Sequence, residues 1–146
     1  MQVDFYHLTR LPLDAVLPRI AERVLEADGR LLVVAEARQM REAIDQLLWT
    51  YSAESFLPHA CAGAGEDALQ PVLISAECVA GNDARNIAIA DGVWREAALS
   101  FDRAFHFFDE DSIVAARAAW KGLADRPDVA RRYWKQGSSG RWEQAA

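Results

Sequence analysis

The stretch Leu31-Leu-Val-Val-Ala35 is a continuous run of apolar residues, which is typical of a strand buried on both faces of a sheet. Residues 3–9, rich in β-branched and aromatic side chains, predict an earlier strand. Apolar residues at helical spacing follow each strand, first between a predicted N-cap at Asp14 and a stop at Gly29, then over residues 38–49. The order strand, helix, strand, helix predicts a parallel sheet with right-handed crossovers.

The second half of the chain continues the same α/β pattern. Short apolar runs predict strands at residues 71–75, 86–90 and 104–108, the last as the final core strand, and residues 52–59 form an edge strand or an ordered loop. Helices are expected at residues 94–101 and after a cap at Asp111 or Ser112. We therefore predict a single three-layer, Rossmann-like α/β domain over residues 1–146 with a mainly parallel central sheet. Residues 127–146 are predicted to form a basic and aromatic C-terminal extension with a flexible turn at 137–140.

Composition excludes several classes of protein. The chain has 146 residues, of which 51% are hydrophobic and 26% charged, as expected for one globular domain and not for a disordered chain. Two cysteines do not make a disulfide scaffold, and no run approaches the roughly 18 apolar residues of a membrane span. The first residues show no signal-peptide pattern. We therefore expect a cytoplasmic protein without a membrane partner.

The net charge of −6 argues against a protein whose main task is to grip phosphate backbones. This charge is unevenly distributed. Residues 1–111 carry 9 basic and 19 acidic side chains, whereas residues 112–146 carry 7 basic and 3 acidic ones. The same C-terminal segment contains three of the five tryptophans. The sequence therefore has an acidic body and a basic, aromatic end.

Known catalytic and cofactor motifs are absent from the sequence. The first strand–helix junction has no glycine, so the dinucleotide fingerprint is missing, and no phosphate-binding loop occurs. Cys61 and Cys78 lack the paired spacing of a zinc site. We predict no catalytic residue, cofactor or metal. A small α/β enzyme of unrecognised type, using Cys61 with His59 or the acidic run at 109–111, stays open as an alternative.

Two clusters of residues suggest binding. Trp49, at a helix end, is followed by Phe56, Pro58 and His59, which form either part of the core or a preorganised protein-binding patch. The basic and aromatic end has three interpretations: closure of the core, stacking on single-stranded nucleic acid, or capture of an acidic peptide with a terminal aromatic residue. Its members are Arg117, Trp120, Lys121, Arg131, Arg132, Tyr133, Trp134, Lys135, Arg141 and Trp142.

The sequence resembles the chi subunit of bacterial DNA polymerase III over residues 3–122. The most specific part is Asp45-x-x-Leu48-Trp49 followed by Ser55-Phe56-x-Pro58-His59. The opening Phe5-Tyr-His-Leu, Phe108-Asp-Glu-Asp-Ser112 and Ala116-Arg117-x-x-Trp120-Lys121 also fit. The resemblance implies a Rossmann-like accessory protein without a nucleotide site, which agrees with the missing glycines.

The resemblance also implies two protein partners and only an indirect relation to DNA. It places the surface for the psi subunit, which links chi to the clamp loader, at Trp49, Phe56, Pro58 and His59. It places the pocket for the acidic C-terminal tail of single-stranded-DNA-binding protein at Arg117, Trp120 and Lys121. Ile113 stands where a further cation would strengthen that pocket, and we expect Arg131, Arg132 and Lys135 to compensate if the segment after Pro127 folds back over the last helix. The expected function is a non-catalytic bridge in the bacterial replisome, and the alternative is a direct single-stranded nucleic-acid binder.

Overall fold

The computed structural model describes residues 1–51 and 57–146, and within them eight strands and three α-helices occur. The strands are β1 (Gln2–His7), β2 (Leu31–Val34), β3 (His59–Cys61), β4 (Val72–Ser75), β5 (Asn86–Ile89), β6 (Arg103–Phe108), β7 (Ala130–Gln136) and β8 (Trp142–Gln144). The helices are α1 (Leu13–Glu26), α2 (Arg38–Thr50) and α3 (Ile113–Gly122).

The strands form one sheet in the order β3-β4-β2-β5-β6-β1-β7-β8. Every neighbouring pair is parallel except β7 and β8, which are antiparallel. All four residues of β2 are fully buried, because this strand lies between β4 and β5 with packed side chains on both faces. The predicted α/β fold with a mainly parallel sheet is confirmed.

The two faces of the sheet carry separate hydrophobic cores. On one, here called the α1/α2 face, apolar residues of α1 and α2 pack against Leu31 and Val33. On the other, the α3 face, α3 and a short 3₁₀ turn at Glu96–Ser100 pack against Leu32 and Val34. Side chains alternate along each strand, so neighbouring residues of β1 and β7 also belong to opposite faces. This alternation decides which candidate site residues can meet.

The C-terminal segment continues the sheet. Strand β7 pairs with β1 in parallel, and β8 turns back on β7 as a hairpin. The prediction that residues 104–108 form the final core strand is therefore wrong. The sequence pattern did not predict this strand because neither face of β7 is uniformly apolar. All of its side chains from Arg131 to Trp134 are half-buried.

Helix boundaries differ from the prediction in detail. Helix α1 begins at Leu13, before the expected cap at Asp14, because the Ala15 N–H already donates to the Pro12 carbonyl at 3.0 Å. Helix α1 ends close to the predicted stop at Gly29, and the residue in the left-handed region there is Asp28, with φ of 60°. The expected helix at 94–101 is the 3₁₀ turn at Glu96–Ser100.

Candidate protein-binding surfaces

Of the residues predicted to bind psi, Trp49 lies at the end of α2, and Pro58 and His59 lie at the start of β3, at one edge of the sheet. The indole of Trp49 is 53% exposed, although the residue is large and apolar. Pro58, which directly precedes His59, is half-buried. Phe56 belongs to this predicted set and lies outside the described residues. We call the described part, Trp49, Pro58 and His59, the α2-end surface.

His59 differs from Trp49 because its side chain is fully buried. Its Nδ1 lies 2.6 Å from the Leu57 carbonyl oxygen, and its Nε2 lies 3.1 Å from both the carbonyl and a carboxylate oxygen of Asp45. The ring also meets the Trp49 indole edge-to-face at 4.8 Å between centroids. His59 therefore joins β3 to α2 and positions Trp49, and it does not itself offer a contact surface.

The second predicted site forms where α3 meets β7. The Trp120 ring is half-buried, with its edge-to-face neighbours Phe5 at 5.3 Å and Tyr133 at 5.7 Å. The guanidinium of Arg131 lies 4.0 Å above the centre of the Trp120 ring. Arg131 also donates Nη1–H to the Trp120 carbonyl oxygen at 2.6 Å, which satisfies a carbonyl at the helix end. Trp120 is thus fixed in place and has one ring face covered by a cation.

Two exposed cations flank this aromatic pair. Arg117 and Lys121 are four residues apart on α3 and therefore share one side of the helix. Neither forms an ion pair within the part of the chain that the structure describes. Burial raises the pKa of the Tyr133 hydroxyl, and the nearby charge of Arg117 opposes that shift. Together Arg117, Trp120, Lys121, Arg131 and Tyr133 make up what we call the α3 surface.

Arg132 is not part of the α3 surface. It follows Arg131 on β7 and therefore points to the α1/α2 face, where its Nε–H donates to Asp4 Oδ1 at 2.9 Å. Tyr133, in contrast, was not predicted to belong to the tail site, yet its ring contacts Trp120 and its hydroxyl lies near the charge of Arg117. Alternation along β7 was the signal that would have placed Arg131 and Tyr133 together.

The enzyme alternative finds little support in the geometry. Both ring nitrogens of His59 face Leu57 and Asp45, so the ring is already engaged away from Cys61. Burial raises the pKa of the Cys61 and Cys78 thiols, opposite to the change that activates a nucleophile. No group of three or more His, Cys, Asp or Glu side chains with metal-binding geometry occurs within residues 1–51 and 57–146.

The acidic run 109–111 has structural roles. Asp109 Oδ1 accepts backbone N–H groups of Asp111 at 3.0 Å and Ser112 at 3.2 Å, which shapes the start of α3. The Glu110 carboxylate lies 2.9 Å from His7 Nε2. None of the helices in the described ranges has both the length and the apolar character needed to cross a bilayer.

Sequence comparison adds the family. No curated protein matches the chain. The sequence model of the family described as DNA polymerase III chi subunit, HolC, matches residues 1–128, most of the chain and including α2 and α3. Strands β7 and β8 lie beyond the matched residues. The chain belongs to the DNA polymerase III chi subunit family and is an accessory subunit of that polymerase.

Proposed function

We propose that this subunit acts by binding alone, as a bridge between the psi subunit and the acidic C-terminal tail of single-stranded-DNA-binding protein. The observation that carries the proposal is the α3 surface. There, Arg131 lies over the Trp120 ring, Arg117 lies near the Tyr133 hydroxyl, and the exposed Lys121 follows Trp120 on α3, on a chain whose net charge is −6. A local group of cations on an acidic protein is suited to an acidic partner segment.

The chemistry of the α3 surface supports a peptide that ends in an aromatic residue. Guanidinium and ammonium groups donate hydrogen bonds to carboxylates, including the terminal carboxylate of a peptide. The Trp120 and Tyr133 rings meet edge-to-face and offer an apolar wall to a terminal aromatic side chain. The peptide we expect to bind is the family-typical ending Asp-Asp-Ile-Pro-Phe.

The two surfaces are far enough apart for both partners to bind together. Helix α2 packs on β3 and β4 at one edge of the sheet, whereas Trp120 packs on β1 from the opposite face. Strands β4 and β1 are separated by β2, β5 and β6, which corresponds to about 19 Å at the usual strand spacing. A bridging role requires such non-overlapping sites.

Substitution of Arg117 should weaken the tail interaction. We expect Arg117→Ala to reduce affinity for a fluorescein-labelled peptide ending in Asp-Asp-Ile-Pro-Phe by about tenfold, because one charge-assisted contact is lost at a partly exposed site. Binding should also weaken with added salt. Fluorescence anisotropy measures both. Arg38→Ala is the charge-matched control, since Arg38 is an exposed residue of α2.

The peptide itself supplies a second control. A version without its terminal Phe should lose detectable binding, because the aromatic wall then has no partner. The assignment of the α3 surface is wrong if the shortened peptide and Arg117→Ala both bind as tightly as the parent pair.

Trp49 should dominate the contact with psi. Exposed tryptophans at protein interfaces commonly contribute 2 kcal/mol or more, so we expect Trp49→Ala to weaken psi binding by about 30-fold or more. Isothermal titration with purified psi measures this loss. Val114→Ala, at a 78% exposed apolar residue of α3, is the matched control and should bind normally. If Trp49→Ala and Val114→Ala bind psi with equal affinity, Trp49 is not part of the interface.

A further inference from the structure

A groove on the α1/α2 face, opposite the α3 surface, has no role in the function proposed above. It lies between α1 and the β7–β8 hairpin and encloses about 440 Å³. A smaller cavity of about 230 Å³ continues it along α1 and shares with it Tyr6, Ile20, Arg23 and Arg103. The two cavities together form one trough beside the helix, which we call the α1–hairpin groove.

The groove exists because the helices cover only part of this face. Helix α1 packs against β2, and α2 packs against β3 and β4. Tyr6 of β1 and Trp134 of β7 line the same space as Val16 and Ile20 of α1. The groove is the space between α1 and these large side chains.

Aromatic rings line the hairpin side of the groove. The Trp134 indole stacks on the Tyr6 ring, with 6.3 Å between centroids and an angle of 12° between planes. Trp142 meets the same ring edge-to-face at 5.1 Å. Both tryptophans are half-buried and line the groove, and the Arg132 guanidinium lies over the Trp134 ring at 5.5 Å from its centre.

Arginines line the same groove, and no acidic residue does so among the described residues. Arg19 and Arg23 are exposed and one helical turn apart on α1, about 6 Å along its axis. Arg141 faces them from the hairpin. These three arginines form no ion pair within the described residues.

The remaining groove arginine sits over the buried carboxylate of Asp4. Arg103 and Arg132 both bind Asp4, each at 2.9 Å, so one negative charge is shared by two positive ones. The floor of the groove therefore keeps an excess of positive charge in addition to Arg19, Arg23 and Arg141. A ligand for this groove must be anionic and must present flat apolar surfaces.

We propose that the α1–hairpin groove binds single-stranded nucleic acid, with phosphates on the arginines and bases stacked against the half-buried rings of Trp142 and Trp134 that line it. Arginines interleaved with aromatic rings are the usual lining of sites that hold single strands without sequence preference. A peptide with one terminal aromatic residue would fill only one ring contact. Several rings beside several arginines fit a ligand in which base and phosphate repeat. This inference is independent of the tail and psi proposals.

Titration with a fluorescein-labelled oligothymidine, followed by anisotropy, tests the proposal on the full chain. Three or four neutralised phosphates give a slope of log K against log salt of about −2 to −3. Binding should also quench intrinsic tryptophan fluorescence, because bases stack on indoles. Arg19→Glu/Arg23→Glu should reduce affinity at least tenfold. Arg38→Glu/Arg126→Glu changes the net charge equally at sites away from the groove and should reduce affinity much less.

A second variant separates stacking from simple charge attraction. Trp142→Leu keeps an apolar side chain against Tyr6 and should weaken oligothymidine binding several-fold with little change in thermal unfolding. Heparin is the control polyanion, since it carries charge without bases and should be insensitive to Trp142→Leu. The Asp-Asp-Ile-Pro-Phe peptide, titrated into Arg19→Glu/Arg23→Glu, should bind normally.

Several outcomes overturn the proposal. Equal oligothymidine affinity of the groove and control double variants would show that no binding occurs in the groove. If oligothymidine binding is lost in Arg117→Ala but not in the groove variants, the nucleic acid binds to the α3 surface instead. If Trp142→Leu binds oligothymidine with unchanged affinity and binding does not quench tryptophan fluorescence, charge attraction alone accounts for the binding. Loss of the tail peptide in Arg19→Glu/Arg23→Glu would assign the groove to the peptide, and would contradict the proposed tail site as well.

Discussion

Replacing Asp4 with asparagine should lower the free energy of unfolding by about 3 kcal/mol. The Asp4 side chain is fully buried, yet its carboxylate accepts hydrogen bonds from the side chains of Gln2, Arg103, Arg132 and Trp134. Asparagine has the same shape but no charge, and its amide nitrogen would face guanidinium groups. We place the loss at the low end for a broken buried pair because the two arginine side chains are 40% and 37% exposed.

Urea denaturation at neutral pH measures this effect. Glu42→Gln is the matched control, because it removes the carboxylate of an exposed ion pair with Arg38 and should cost less than about 0.5 kcal/mol. If Asp4→Asn unfolds at the same urea concentration as the parent chain, the network does not stabilise the fold.

The stabilisation from Asp4 also depends on pH. Burial alone would raise the pKa of its carboxyl, but hydrogen bonds from Trp134 and Gln2 together with the charge of Arg103 outweigh it and lower the pKa below its ordinary value of 3.8. A carboxyl with a lower pKa in the folded state contributes stability at pH values above its unfolded pKa. That contribution is lost as the pH falls through the folded value. Asp4→Asn should therefore matter least in strong acid.

Replacing His106 with phenylalanine should stabilise the protein, most of all in weak acid. His106 is fully buried among aromatic rings, and neither ring nitrogen has a hydrogen-bond partner among the described residues. Burial lowers its pKa from 6.5 to about 4. Between these values the unfolded chain binds a proton that the folded chain does not, so stability falls as the pH drops from 6.5 towards 4. Over the whole range from pH 6.5 to 4, the free energy of unfolding falls by about 3 kcal/mol, of which about 2 kcal/mol is lost by pH 5.

Phenylalanine removes both the titration and the unpaired nitrogens. We expect a gain of about 1–2 kcal/mol at pH 7, from the loss of a buried unsatisfied polar group, and a flatter dependence of unfolding free energy on pH down to 5. Urea denaturation at the two pH values measures both. His106→Leu is a second variant in case the larger ring is too tight. An undiminished pH dependence in both variants would contradict the assignment to His106.

Local sequence patterns were sufficient for the centre of the sheet. The apolar run at Leu31–Val34 predicts a strand with both faces covered, and the structure shows all four of its residues fully buried. The family resemblance named from the motif at residues 45–59 is confirmed by the match over residues 1–128. These features depend on neighbours close in sequence, which a pattern can register.

The predictions that failed concern residues whose contact partners are distant in sequence. Arg132 faces Asp4 only because β7 lies beside β1, with Asp4 and Arg132 as direct partners in the register. Nothing near Arg132 in sequence indicates that pairing. Strand β7 lacks a uniformly apolar face for the same reason, since its charged side chains find their partners on β1 and at the end of α3.

The central position of β1 also affects the order of folding. Among the described residues, β1 pairs only with β6 at Arg103–Phe108 and with β7 at Ala130–Gln136. Gln2 and its register partner Arg103 are about 100 residues apart in sequence, so the ladder of β1 forms only through contacts between distant parts of the chain. Contacts so distant in sequence favour slow folding and a period of vulnerability to aggregation.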